Sequence, residues 1–150
     1  MRAELDQTGK VEQLNCDTVI ALSNDTQYAV LLPKYMKRNI FLRYRSTIHR
    51  LKYRLFCISV YYCIKNLIYD SGLIVIDDEC KGNEDVIKSL LLNCIRETYK
   101  EFEAKRITFG KIGKSSNAHT IAIEVFRKHR RADKVLSLKD LDFFIKSPKE

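Results

Sequence analysis

Three consecutive carboxylates, Asp77, Asp78 and Glu79, follow four aliphatic residues in the stretch GLIVIDDEC, Gly72 to Cys80. Carboxylates that surface together at the end of a buried strand suit a hard cation such as Mg²⁺ or Mn²⁺, which takes oxygen ligands and keeps several waters. Two such ions about 4 Å apart can stabilise the attacking water and the leaving oxygen of a phosphodiester together. His119, in SSNAHTIAIEVFRKHR, supplies a group that ligates metal or moves a proton near neutral pH. Asp25, in the turn S-N-D-T, is a further metal-ligand and catalytic candidate. Each has a plainer reading. Three acids after a strand form a solvated turn, His119 is one more residue of a first helical turn, and Asp25 is a turn former.

The cations point toward a polyanion. Between Lys34 and Lys65 there are nine Lys and Arg residues, including Arg43, Arg45, Arg50 and Arg54, and no Asp or Glu. A second basic block contains Arg127, Lys128, Arg130, Arg131 and Lys134, and the net charge is +8. Basic clusters of this kind commonly face nucleic acid. The sequence does not choose between DNA and RNA. Gly113-Lys114-Ser115 echoes the end of a phosphate-binding loop, which needs G-x-x-x-x-G-K-[ST]. Thr108 stands where the first glycine is required, so no NTP site is expected. What survives is a single-phosphate contact by Lys114 and the amides of Ser115 and Ser116 at a helix start.

The elements that must position these groups read as follows. Residues 1–15 are polar and patternless and are expected to be a flexible N-terminus. Thr18 to Leu22 and QYAVLLP form a hairpin, and NIFLRY suggests a third strand. From about Ser46, Ile48, Leu51, Leu55, Ile58 and Tyr62 recur at spacings of three and four, which predicts a helix covered on much of its circumference. Leu73 to Ile76 reads as a strand buried on both faces. Asn83 caps the next helix, RITFGKIG is a strand, and one of Ser115, Ser116 or Asn117 caps a helix whose inner face is Ile121, Ala122, Val125 and Phe126. DKVLSLKDLDFFIK gives a short extended piece and a terminal helix after Ser137.

The 150 residues suit one α/β domain, placed at 16–150, with a mixed sheet and helices packed on it. No apolar run is long enough for a membrane span, and the first residues lack the apolar core of a secretory signal. The expected compartment is cytoplasmic. Five cysteines without C-x-x-C or Cys/His spacing imply no zinc site, and no haem is expected. Cys57, Cys63 and Cys94 read as small core residues, and Cys80 as a more exposed thiol without a histidine near it in sequence.

This order resembles the RNase H-like superfamily, which includes ribonuclease H, Holliday-junction resolvases and the Piwi domain. The resemblance covers about residues 17–134 and implies a three-strand meander followed by alternating helices and strands. It implies an acid on the first strand, another at the end of the fourth and an acid or His on a late helix. The fourth-strand position falls on Asp77, Asp78 or Glu79, and the late-helix position on His119, in the Piwi-type layout. The strand TVIAL has no acid, so Asp25 stands nearest to the first-strand position. The resemblance thus implies a nucleic-acid-binding protein, a candidate Mg²⁺- or Mn²⁺-dependent nuclease. The alternatives are a non-catalytic nucleic-acid-binding module of the same fold, and a protein-interaction domain. In the latter, Tyr53, Tyr61, Tyr62 and Tyr69 dock a partner or a second copy as a homodimer.

Overall fold

The computed structural model describes residues 2–78 and 81–145. A six-stranded sheet has the order β5-β4-β1-β2-β3-β6. Its strands are β1 (Arg2–Thr8), β2 (Thr18–Ser23), β3 (Gln27–Leu32), β4 (Leu73–Asp77), β5 (Ile107–Gly110) and β6 (Lys134–Val135). β1 pairs antiparallel with β2 and parallel with β4, and only β2 runs against the other five. Five helices accompany them: α1 (Lys34–Tyr44), α2 (Leu51–Ile64), α3 (Glu84–Arg96), α4 (Asn117–Phe126) and α5 (Leu138–Ile145). The α/β class with a mixed sheet is therefore as expected.

The first correction is the most consequential. The N-terminal segment is not a flexible tail, because Arg2–Thr8 forms a strand at the centre of the sheet. Its apolar residues, Ala3 and Leu5, enter the main core at 3% and 1% exposure. Its opposite face carries Glu4 and Asp6, so the alternation reads as polar sequence. The hairpin holds as β2 and β3, but NIFLRY lies inside α1 rather than forming a strand.

Most of the core lies on one side of the sheet, where α2 packs on β2, β3, α3 and α5. Leu55, Cys57, Ile58, Val60 and Ile64 are buried around several sides of α2, as its sequence predicts. Of the four tyrosines offered for docking a partner, Tyr61 and Tyr62 are used internally, while Tyr69 is 67% exposed. Tyr61 and Tyr62 pack edge-on against Phe144 of α5, with ring centroids 4.9 and 5.9 Å away, and the Tyr62 hydroxyl donates to the Asp140 carbonyl. Cys57, Cys63 and Cys94 are buried, and desolvation pushes the Cys94 thiol up to about 12 and the Cys63 thiol up also, as inert core residues require. Cys80 lies outside the described residues.

On the other face of the sheet α4 lies across β1, β2 and β3, over a smaller core of Val19, Ala21, Ala29, Ile121, Ala122 and Val125. Ser116 caps it by accepting from the Ala118 N–H. Asn83 precedes α3 but makes no side-chain cap; the Glu84 carboxylate takes the Gly82 N–H instead. Ser137 caps α5 reciprocally with Asp140.

Lys37, one of the nine cations read as facing a polyanion, is fully buried on α1. Its ammonium donates to the Lys10 carbonyl (3.2 Å), the Gln13 carbonyl and the Thr18 hydroxyl (3.0 Å), fixing residues 10–18 against α1. Burial lowers its pKa, while Cys16, Asp17 and Glu12 oppose that shift. Removing the ammonium takes the donor from the Lys10 and Gln13 carbonyls and from the buried Thr18 hydroxyl. Lys37→Met is expected to lower stability by about 3 kcal/mol, given the cost of charged hydrogen bonds and orphaned acceptors. A urea midpoint unchanged from that of the parent would contradict this account.

Candidate functional site

β1 and β4 meet where the chain order turns: β2 and β3 extend the sheet to one side, β5 to the other. In open α/β sheets the carboxyl ends of parallel strands at such a point form a natural ligand crevice. The register pairs Leu5 with Ile76, and one step further along both strands sets Asp6 level with Asp77. Adjacent strands lie about 4.8 Å apart. Leu5 and Ile76 face the main core, so the alternation turns Asp6 and Asp77 to the α4 side.

α4 brings the third group. Its first turn lies over β1, where Ser116 Oγ donates to Glu4 Oε1 at 2.9 Å and His119 Nδ1 lies 2.7 Å from Asp6 Oδ2. Asp6 Oδ1 accepts from the Gln7 N–H at 2.8 Å. Asp77 Oδ1 accepts from the Ile112 N–H at 2.8 Å, which ties the loop after β5 to the end of β4. Among the described residues no donor reaches Asp77 Oδ2. The Asp6 side chain is 4% exposed and that of His119 is 26% exposed, so the carboxylate anchors an imidazole whose outer edge reaches solvent. A carboxylate at Nδ1 orients the ring and leaves Nε2 for a ligand or a proton.

Asp77 and His119 thus each neighbour Asp6, a residue of the segment expected to be a flexible tail. The other predicted acids separate from them. Asp25 lies in the turn between β2 and β3, beyond the Ser23–Glu4 pair, at the opposite end of the strands from Asp77. A turn former has served there as a turn. Asp78 turns toward Glu84 at the start of α3: burial and the Glu84 carboxylate push its carboxyl up, while backbone N–H groups at the helix start hold Glu84 down. Its Oδ1 is buried without a partner. Glu79 lies outside the described residues.

Of the expected metal set Asp77, Asp78, Glu79 and Asp25, the described members do not come together: Asp25 lies at the other end of the strands from Asp77. Among the described residues no group of three or more His, Cys, Asp or Glu is placed to hold a metal ion. Asp6, Asp77 and His119 are therefore not a metal-binding group as placed, and both Asp6 oxygens are already engaged by Gln7 and His119.

The predicted phosphate contacts fall into three places. Lys114 and Ser115 are exposed on the loop that also carries Ile112, close to Asp77. Arg43, Arg45 and Arg50 are exposed around the α1–α2 connection, and Arg54 Nε donates to the His49 carbonyl. Arg127 and Arg130 follow α4 on the other face, with Arg130 against Gln27 and Glu124. The cations surround the sheet rather than lining one groove. Among the described residues no helix is long and apolar enough to cross a membrane.

No protein-family model, curated protein or solved structure matches the chain.

Proposed function

We propose that the chain is a nucleic-acid-binding protein of RNase H-like build, and that the rim formed by Asp6, Asp77 and His119 hydrolyses phosphodiester bonds. The observation that carries the reading is the level placement of Asp6 and Asp77 on adjacent central strands with His119 bonded to Asp6. The strand order supports it too: a meander of β1, β2 and β3, then β4 and β5 added parallel beside β1, with a late helix over the acids. With β1 as first strand, Asp6 takes the first-strand role that Asp25 fitted poorly.

In this reading the exposed edge of His119 holds a proton acceptor beside the scissile phosphate, and Asp6 keeps the ring turned toward it. Water oxygen bonds to phosphorus, the bond to the leaving oxygen breaks, and the proton lost by water passes to solvent or to the imidazole. Asp77 offers its unengaged oxygen at the same edge. Asp77 is the residue that would hold a Mg²⁺ or Mn²⁺ ion shared with the phosphate, and such an ion would supply acidified water and charge compensation. Lys114 and Ser115 contact a neighbouring phosphate.

A second reading, nucleic-acid binding without cleavage, is favoured by one observation: both Asp6 oxygens already accept hydrogen bonds within the protein. Labelled single- and double-stranded oligonucleotides, incubated with Mg²⁺ or Mn²⁺, separate the two. Metal-dependent cleavage that disappears in Asp77→Asn, with binding kept, is the expected result. Binding that weakens steeply with salt, with no cleavage by either protein, leaves only the second reading. Absence of binding overturns both.

A further inference from the structure

A cavity of about 190 Å³ opens at the same rim, one residue past Asp6 on the main-core side of the sheet. Its walls include Gln7, Glu12, Lys52, Tyr53, Lys81 and Asn83, contributed by β1, the loop after it, the first turn of α2 and the turn before α3. We propose that this cavity receives one unpaired nucleobase of a single-stranded segment, an inference that rests on the nucleic-acid-binding reading and specifies its ligand.

The volume is many times that needed for one water or one ion, so it admits a ring. The chemistry of the walls suits such a ring. Tyr53 provides an aromatic surface, with Val11 and Phe56 as apolar floor. Asn83 provides an amide that both donates and accepts, as the edge of a base requires. That amide makes no side-chain cap to α3. The Glu12 carboxylate, 3.9 Å from Lys52, offers an acceptor for a base N–H.

The surroundings suit the phosphates that flank a base. Lys52 and Lys81 stand at the cavity and are exposed. Lys52 also lines a shallow concavity of about 470 Å³ with Arg45, His49 and Arg50. A strand whose base enters the cavity therefore meets cations on leaving it, along the acid-free part of the chain. A duplex keeps its bases stacked inside and cannot reach the cavity without unpairing, so single strands or unpaired positions are the ligands selected.

The test is fluorescence anisotropy of the full chain with three probes: a short single-stranded oligonucleotide in DNA and RNA forms, a strand of equal length and charge made wholly of abasic units, and the duplex. The base-bearing single strand is expected to bind about tenfold more tightly than the abasic one, within the range of stacking on one aromatic side chain. Tyr53→Leu, which retains apolar packing, should abolish that difference while leaving abasic-strand affinity unchanged. Asn83→Asp, at a partly exposed position, should reduce the difference too, and it serves if Tyr53→Leu fails to fold. Equal wild-type affinity for base-bearing and abasic strands overturns the base pocket and leaves nucleic-acid binding standing. Binding to none of the probes removes both.

Discussion

Asp6→Asn is expected to reduce phosphodiester cleavage by about 10²–10⁴-fold, the span for loss of a positioned acid–base partner, while leaving thermal stability equal or higher. The two halves of this expectation come from one arrangement. Asp6 and Asp77 place two carboxylates side by side on central strands, and Asp6 is almost wholly removed from water. Like charges so placed repel. Neutralising one of them relieves that repulsion. Asparagine has the same shape, and its carbonyl can still accept from Gln7 N–H or from His119. A residue kept for stability would show the reverse: an Asn variant with a lowered melting temperature. Cleavage measured beside a thermal melt therefore separates a functional Asp6 from a structural one. A variant that melts early yet cuts at the wild-type rate would sink the assignment.

Much of the fold was legible because its elements follow single rules. β2, β3, β4 and β5 are apolar runs bounded by turn residues, and α4 has its cap and inner face where the pattern puts them. β1 was not legible, for a physical reason. A central strand normally reads as continuous apolar sequence, since both faces are covered. In RAELDQT only Ala3 and Leu5 meet that requirement, because the face under α4 holds Glu4 and Asp6, which bond Ser116 and His119. The partners that make those carboxylates tolerable lie more than a hundred residues away, beyond any local pattern. The one local signal was the alternation of Ala3 and Leu5 leading to the turn at Gly9. There φ is +76° and an added Cβ would stand 2.1 Å from the Asp17 carbonyl oxygen.

The site was legible to the same extent. The positions of Asp77 and His119 were legible because one ends a clear strand and the other lies in the first turn of a clear helix. Asp25 was a substitute forced by counting β2 as the first strand. Asp78 looked equivalent to Asp77 in sequence, but strand alternation sends neighbouring side chains to opposite faces. Local rules misplace elements most readily where polar groups replace apolar packing on a buried face. Here that place is β1.

Removal of residues 1–8 should therefore abolish cooperative folding, where a flexible tail could be cut without effect. β1 is hydrogen-bonded on both sides, to β2 and to β4. Its loss leaves β5-β4 and β2-β3-β6 as separate pieces, each with a newly exposed edge and no partner to pair with. Ala3 and Leu5 also leave the core, and truncating Leu5 alone to Ala should cost about 2–5 kcal/mol. A small domain has total stability of only about 5–15 kcal/mol, so losing a central strand exceeds what the rest can supply. Circular dichroism followed against temperature is the direct check: the truncated chain should give no sigmoidal transition, and Leu5→Ala a transition shifted down. A truncated protein that melts cooperatively near the parent would return β1 to the status of a dispensable tail. Asp6 would go with it, because the strand that closes the sheet is also the strand that carries the first carboxylate of the site.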